Sequence, residues 1–317
     1  MKRALVTGCS GLVGTFLIKK MLLSKEYSQV VGVDMKPFPI SMDDKISKNF
    51  IFIEADLTNE ATLLNLFDEH EFSVVINCFG VKGSPIRAKN SPMDFLYPSF
   101  KINTEIINQC QKRNIWLVFM SSVGVYAPAE SFVEDDVWKT LPSENDWFPS
   151  WSKRTGELLL EACKVQYGYD KWSIIRPANI FGEYDNFDGT GTVIATQCKK
   201  VFEAENEIEA WGDGTPIRDF VYAGDVANAI LSLYEKQIHT TINFGAGEEI
   251  TIKSMIEQLI KISGKNIDIK WDTTKPNGDL RRQMDTTLQK EIGLLPVLGF
   301  NEALKLTYES YISNRTR

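Results

Sequence analysis

The sequence predicts an α/β fold in which helices cover both faces of a parallel β-sheet. Three observations carry this prediction. Short apolar runs alternate with helical patterns through the first half of the chain, these runs are apolar on both faces, and a glycine-rich turn follows the first of them. The chain has 317 residues, of which 43% are hydrophobic and 24% are charged, so it can bury a large core.

The predicted strands follow one another as RALVTG, QVVGVD, FIFIEAD, SVVINCFG, WLVFMSS and WSIIRPANIFG. After about residue 184 the alternation stops, and clusters of Gly, Asp and Asn separate shorter elements. We therefore predict two domains. The larger one comprises residues 1–183 and 220–238, and the smaller, discontinuous one comprises residues 184–219 and 239–317.

Composition and charge exclude several classes of function. A formal net charge of -7 offers no basic surface to nucleic acid or anionic lipid. An apolar strand begins directly after MKR, and no run is long enough to span a membrane, so we expect no signal peptide and a cytoplasmic protein. Five cysteines without a CxxC pair, together with two histidines, predict buried thiols and no metal site; they are Cys9, Cys78, Cys110, Cys163 and Cys198.

A glycine-rich turn, VTGCSGLVG, joins the first predicted strand to the helix LVGTFLIKKMLL. Gly8, Gly11 and Gly14 let the backbone approach a pyrophosphate, whose charge then lies at the helix N-terminus. The second strand ends at Asp34, where a carboxylate can accept both adenosine ribose hydroxyls and repel a 2′-phosphate. This combination predicts a dinucleotide site that prefers NAD over NADP, a preference that the nearby Lys36 weakens.

The chain resembles the extended short-chain dehydrogenase/reductases that act on nucleotide sugars, and the resemblance runs almost end to end. The segments that carry it are TGCSGLVG, EADLTN, MSSVGVYA, SKRTGE, RPANIFG, WGDGTPIRDFVYAGDVANAI, NFGAGEEITI and KPNGDLRRQMD. GEYDNF, WGDGTPIRDF and DTTKPNGDLRR are most similar to the GDP-fucose synthase branch. The resemblance implies a Rossmann-type doubly wound sheet, a smaller discontinuous C-terminal substrate domain, NAD as cofactor and a nucleotide sugar as substrate, with GDP favoured.

The resemblance also implies roles for individual residues. Asp56 would contact adenine, Lys153 the nicotinamide ribose, and Ser122 the reacting sugar hydroxyl or carbonyl. The implied cofactor-binding residues are Gly8, Ser10, Gly11, Leu12, Val13, Gly14, Asp34, Asp56, Leu57, Cys78, Phe79, Gly80, Lys153 and Pro177. The implied substrate-binding residues are Ser122, Asn179, Val193, Trp211, Arg218 and Arg281. From the residues alone, Ser122 could instead be a turn cap, Lys153 a solvated lysine and Trp211 a core residue.

The stretch DWFPSWSKRTGE departs from this family. Four residues before Lys153, where the family has a tyrosine that exchanges a proton with the sugar oxygen, the chain has Pro149. Proline suits the first turn of a helix but has no proton to exchange. We therefore expect a catalytic set of Ser122, Lys153 and Tyr184, in which Tyr184 or an ordered water replaces the missing phenol. The alternative for Tyr184 is a packing role.

Other departures narrow the chemistry. Val123 and Gly124 follow Ser122 where a dehydratase of this family has an Asp-Glu pair, so dehydration is disfavoured. Two classes of function remain. The first is an NAD-dependent nucleotide-sugar oxidoreductase or epimerase that transfers hydride at a sugar carbon, with C4 favoured. The second is a degenerate member that binds NAD and nucleotide sugar with little or no catalysis. The resemblance also implies a homodimer formed through a four-helix bundle of residues 94–112 and 150–166.

Overall fold

The structure is a computed structural model that describes residues 2–41, 47–81, 85–189 and 191–315. The strands are β1 (Lys2–Thr7), β2 (Tyr27–Asp34), β3 (Phe50–Glu54), β4 (Val74–Asn77), β5 (Trp116–Met120), β6 (Trp172–Pro177), β7 (Asn179–Phe181), β8 (Glu207–Trp211), β9 (Ile217–Arg218), β10 (Phe220–Tyr222), β11 (Thr241–Phe244), β12 (Ile250–Thr251), β13 (Asp268–Asp272) and β14 (Arg281–Arg282). The helices are α1 (Leu12–Ser24), α2 (Glu60–Glu69), α3 (Pro85–Asn90), α4 (Pro92–Arg113), α5 (Trp147–Tyr167), α6 (Val193–Glu203), α7 (Ala223–Glu235), α8 (Ile252–Ser263), α9 (Thr287–Glu291) and α10 (Phe300–Arg315).

A seven-stranded parallel sheet forms the centre of the fold, with the spatial order β11-β6-β5-β4-β1-β2-β3. The strand order reverses between β1 and β4, and ligands of such sheets bind outside the carboxyl ends of the strands at that point. The six strands predicted from the apolar runs are all present as β1 to β6. The predicted Rossmann-type α/β fold is therefore confirmed.

Two apolar cores cover the faces of this sheet, as expected for strands that are buried on both sides. Successive residues of β1 alternate between them, because side chains of a strand point to opposite faces. Ala4 and Val6 pack in the core that contains α1 and α7, whereas Leu5 packs in the core that contains α2, α4 and α5. The sheet is thus held between two helical layers.

A third apolar core belongs to the C-terminal half and includes Ile194, Ile208, Leu259 and Phe300. The predicted boundary at residue 239 is wrong for one element, because residues 241–244 form β11, which pairs with β6 as the outermost strand of the central sheet. The tetrapeptide TINF is too short for its apolar pattern to assign it to either domain. The rest of the division into domains stays a prediction.

The five cysteines are free and buried, which confirms that prediction. Within the described residues, no three His, Cys, Asp or Glu side chains come together in a way that could hold a metal ion. No helix in the described part of the chain has the length and apolar character needed to cross a membrane.

Candidate functional site

The glycine-rich turn lies between β1 and α1, at the carboxyl edge of the sheet. Gly8 has a φ of +66°, a left-handed conformation that glycine adopts without strain. A Cβ atom at Gly14 would lie 2.3 Å from the Gly8 carbonyl oxygen, so a side chain there cannot be accommodated. Gly11 precedes α1 without a side-chain cap, and Leu12 and Val13 are buried in the first turn. The first N–H groups of α1 are therefore suited to an anion such as a pyrophosphate.

Asp34 ends β2 beside this turn. One carboxylate oxygen accepts a hydrogen bond from the Ser10 N–H (3.1 Å) and the other accepts one from the Lys36 N–H (3.0 Å). The Ser10 hydroxyl donates to the Lys36 carbonyl (2.9 Å), which closes the loop around the carboxylate. Asp34 is thus fixed where an adenosine ribose reaches in folds of this kind.

The other predicted cofactor contacts follow the ends of neighbouring strands. Asp56 accepts a hydrogen bond from the Thr58 N–H (2.8 Å), and Leu57 is buried next to it. Further along the sheet, three of the predicted residues follow β4 and one ends β6; they are Cys78, Phe79, Gly80 and Pro177. The structure therefore brings the predicted cofactor residues to one edge of the sheet, while their contacts with a cofactor stay predictions.

Lys153 lies on α5, and its side chain reaches the carboxyl ends of β4 and β5. Its Nζ donates hydrogen bonds to the carbonyl oxygens of Phe79 and Met120, both at 2.8 Å. The same Nζ is 5.3 Å from the centre of the Phe119 ring. Desolvation lowers the pKa of Lys153 to about 8, although the nearby Cys78 opposes this shift. The alternative of a solvated lysine is therefore wrong.

Ser122 follows β5 and opens a short 3-10 turn, Val123–Val125. Its Oγ accepts a hydrogen bond from the Gly124 N–H at 3.0 Å, so Ser122 is a turn cap. A hydroxyl that accepts one hydrogen bond still has its own hydrogen to donate. The cap therefore orients Ser122 without preventing it from donating to the oxygen of a ligand.

Pro149 lies in the first turn of α5, as predicted, where the missing N–H has no intrahelical acceptor to lose. Position 149 is one helical turn before Lys153, so both residues project from the same side of the helix. The pyrrolidine ring has no exchangeable proton. Position 149 therefore supplies no acid or base to the site.

A buried polar network fixes α5 against the ends of β5 and β6. Arg176 donates to both carboxylate oxygens of Glu157, at 3.0 and 2.6 Å, and the two side chains are only 1% and 2% exposed. The Ser121 hydroxyl donates to the same carboxylate. Arg176 also donates to the Tyr126 oxygen (2.9 Å), and the Tyr126 hydroxyl donates to Asn243 (2.6 Å). The network lies one turn from the lysine and next to the serine described above, so it holds both in place.

Two arginines of the smaller domain lie side by side. Strands β9 and β14 pair so that Arg218 is opposite Arg282, and cross-strand neighbours share a face of the sheet. Burial and the positive charge of Arg282 lower the pKa of the Arg218 guanidinium to about 10. Among the described residues Arg218 has no carboxylate within ion-pair distance and donates only to the Ile217 carbonyl (2.8 Å). Such a guanidinium is suited to an external anion.

The structure distinguishes Arg281 from its neighbour. Successive side chains of β14 point to opposite faces, so Arg281 lies away from Arg218 and pairs with Glu249. Arg282 donates instead to Asp279 (2.6 Å) and to Asp146 at the start of α5. The substrate-binding role of Arg281 stays a prediction. Which of the two arginines lies beside Arg218 depends on the register with β9, about 60 residues away, and the sequence does not show it.

The remaining predicted substrate residues occupy three separate elements. The N–H and the side-chain amide of Asn179 both donate to the Asp219 carbonyl, each at 3.0 Å. Val193 begins α6 and is partly exposed. Trp211 ends β8 and is 49% exposed, so the alternative of a core tryptophan is wrong. The roles of these residues toward a substrate stay predictions.

Tyr184 packs against α1. Its ring meets Phe16 edge to face, with ring centres 4.9 Å apart, and its phenol oxygen accepts a hydrogen bond from Lys19 Nζ at 2.8 Å. Both partners lie in the second and third turns of α1, beyond the anion-binding end of that helix. These contacts agree with a packing role for Tyr184, and its catalytic role stays an untested prediction.

Comparison with known proteins connects this geometry to a family. The sequence profile described as "NAD dependent epimerase/dehydratase family" matches residues 4–245. The chain is 29% identical over 272 residues to GDP-L-fucose synthase 1 of Arabidopsis thaliana, covering 82% of this chain and 83% of that protein. It is 27% identical over 323 residues to GDP-L-fucose synthase of Sinorhizobium fredii, covering 99% and 96%. The crystal structure of a UDP-glucose 4-epimerase from Thermotoga maritima has a TM-score of 0.84 at 23% identity, with 99% of each chain covered, and shares the fold.

Proposed function

The chain belongs to the NAD dependent epimerase/dehydratase family, and from this membership we propose that it is an NAD-dependent nucleotide-sugar oxidoreductase or epimerase. The proposed reaction is hydride transfer at a sugar carbon, with C4 favoured, of a GDP-sugar or another NDP-sugar. One observation carries the proposal. A glycine-rich turn, the Asp34 carboxylate and the Lys153 amine lie along the carboxyl edge of one parallel sheet.

The residues of this edge fit NAD, the cofactor of the family. The lack of a side chain at Gly14 lets the start of α1 pack closely on the backbone of Gly8 and Cys9, and the first N–H groups of the helix would bind the pyrophosphate. Asp34 would hold the adenosine ribose, and Lys153 would contact the nicotinamide ribose. Bound NAD supplies the acceptor and donor of the hydride. The residues of the chain bind it, orient the sugar and move the proton.

The substrate end of the site supports a nucleotide sugar. Arg218 lies beside Arg282 on one face of the small sheet, but the guanidinium of Arg282 is already paired with Asp279 and Asp146. We propose that Arg218, which has no carboxylate partner among the described residues, holds the substrate pyrophosphate through bidentate hydrogen bonds to its oxygens. The similarity to two GDP-L-fucose synthases supports GDP as the nucleotide. Ser122, whose oxygen is already bonded to the Gly124 N–H, would donate its hydrogen to the reacting sugar oxygen.

Pro149 supports a second candidate. With no acid or base at that position, the chain would bind NAD and nucleotide sugar but catalyse little or nothing. The two candidates share their ligands and differ only in whether hydride is transferred.

Binding measurements test the part that both candidates share. Native mass spectrometry of the purified protein should detect carried NAD, or NAD bound after its addition. The NAD-loaded protein should then unfold at a higher temperature with a GDP-sugar present than without it, since a ligand of the folded state raises its stability. UDP- and dTDP-sugars are the comparison ligands. A protein that binds neither NAD nor any of these sugars contradicts both candidates.

We also propose a homodimer. Helices α4 and α5 pack against each other, and their outward faces carry apolar side chains. Tyr97 is 54% exposed, Leu158 is 57% exposed and Val165 is 87% exposed. Exposed apolar side chains at helical spacing favour a helix-mediated contact, here a four-helix bundle with a second copy of the chain.

A further inference from the structure

We propose that Lys153 is itself the general base and acid of the reaction, exchanging a proton directly with the reacting sugar oxygen. This inference rests on the proposed function and deepens it, because it assigns the proton transfer that Pro149 leaves without a donor. The proposed role of Lys153 is proton transfer, in addition to the cofactor positioning that the family resemblance implies.

The hydrogen bonds of Lys153 leave one direction of its nitrogen unused. Two N–H groups are fixed by the carbonyl oxygens of Phe79 and Met120, each at 2.8 Å. An ammonium has three donors, so the remaining tetrahedral position is an N–H in the charged form and a lone pair in the neutral form. No third partner for this nitrogen is found among the residues that the structure describes. The two fixed bonds therefore orient an acid or base position at the carboxyl ends of β4 and β5.

The surroundings allow this nitrogen to change charge near neutral pH. Desolvation, which penalises the ammonium, lowers its pKa to about 8. Two ionisable groups oppose this shift, Cys78 after β4 and Glu157 one turn along α5. Neither can take the proton in its place. Burial raises the pKa of the Cys78 thiol to about 12, and Glu157 is bound by Arg176 and Ser121.

The absence of a phenol at position 149 gives the amine access to the substrate. A tyrosine there would project one turn before Lys153, from the same side of α5, and its phenol would compete with the amine for the sugar oxygen. The proline ring is shorter and non-polar. Ser122 completes the set, because it follows Met120 by two residues and has a hydrogen free to orient the sugar oxygen.

In the oxidation, the O–H bond of the sugar carbinol breaks and its proton goes to the neutral amine of Lys153, which becomes an ammonium. The C–H bond breaks with its electron pair, the hydride passes to NAD+, and the carbon–oxygen bond becomes a carbonyl. In the reduction, the ammonium returns the proton to the oxygen as the carbon regains a hydride.

The test has one readout that needs no catalysis and one that does. First, NMR of protein labelled with 13C-lysine, assigned by the signal that is lost in Lys153→Arg, should show the Lys153 amine titrating at about pH 8 in the wild type. Second, the rate of sugar oxidation should rise with pH through the same value, because the neutral amine is the base. Titration of the Lys153 amine at the ordinary pKa of lysine would overturn the proposal without any measurement of activity.

Variants then separate proton transfer from cofactor positioning. Lys153→Arg keeps a cation with donors but removes the accessible base, so turnover should fall by about 100-fold or more and the pH step should vanish. Lys164→Arg, at an exposed lysine on the same helix, is the matched control and should change turnover less than threefold. Adding Pro149→Tyr to Lys153→Arg should recover at least about tenfold by supplying a phenol. Wild-type turnover that survives Lys153→Arg, or that falls in Tyr184→Phe, would overturn the assignment to Lys153. Wild-type protein that binds both ligands but forms no NADH at any pH would instead overturn the proposed function.

Discussion

Replacing Arg176 with methionine should destabilise the fold strongly, because it leaves the Glu157 carboxylate buried without its counterion. The pair is bidentate and the side chains are only 1% and 2% exposed, so water cannot take over from the guanidinium. The Ser121 hydroxyl is the one remaining donor to that carboxylate among the described residues. Breaking a buried pair by removing one partner costs about 3 to 5 kcal/mol, a large part of the stability of an ordinary domain.

Urea unfolding followed by far-UV circular dichroism measures this cost, provided that the m-value is unchanged. The double variant Arg176→Met with Glu157→Met should be more stable than Arg176→Met alone by about 2 kcal/mol, since both buried charges are then removed. Lys305→Met is the matched control, because it breaks an exposed ion pair with Glu309 and should cost less than about 0.5 kcal/mol. A loss below about 1 kcal/mol in Arg176→Met, or a double variant no more stable than the single one, would refute the reasoning.

Three further predictions concern ligands and assembly. NADPH should bind at least about 30-fold more weakly than NADH, because the Asp34 carboxylate disfavours a 2′-phosphate by about 2 kcal/mol. If calorimetry shows the same difference in affinity between NADH and NADPH in Asp34→Ala as in the wild type, Asp34 is not its cause. Arg218→Ala should weaken binding of the NDP-sugar about 10- to 100-fold and leave NAD binding unchanged, whereas Arg281→Ala should have a smaller effect because Glu249 already pairs with it. The protein should sediment as a homodimer that Leu158→Asp converts to a monomer, and an equal loss of assembly in Leu141→Asp, an exposed site outside both helices, would argue against the bundle.

The sequence predicted those elements that can be recognised from a few consecutive residues. β1 and β4 are recognisable because residues 4–6 and 74–76 are all apolar, as expected for strands covered on both faces. Gly8 and Gly14 are recognisable because the left-handed φ of Gly8 and the close approach of the Gly8 carbonyl to Gly14 both require glycine. The position of Pro149 in the first turn of α5 was predicted for the same reason, since the constraint lies in the proline ring.

What the sequence could not predict depends on distant partners. β11 joins the central sheet because β6 presents an open edge to it, and the four residues of β11 carry no sign of that pairing. Arg281 and Arg282 are chemically the same, so only the register with β9 decides which of them faces Arg218. The hydrogen bonds of Lys153 likewise depend on carbonyl groups that lie 74 and 33 positions earlier in the chain.

The central claim is that this chain transfers hydride between a nucleotide sugar and NAD. Its most direct test is a single-turnover experiment in which NAD-loaded protein is mixed with GDP-, UDP- and dTDP-sugars while the absorbance of NADH is recorded. The account predicts that NADH appears with at least one of these sugars, with a GDP-sugar favoured, and that Ser122→Ala slows its appearance. Unchanged absorbance with every sugar, from protein that demonstrably binds both ligands, would contradict the claim and leave the binding protein as the better description.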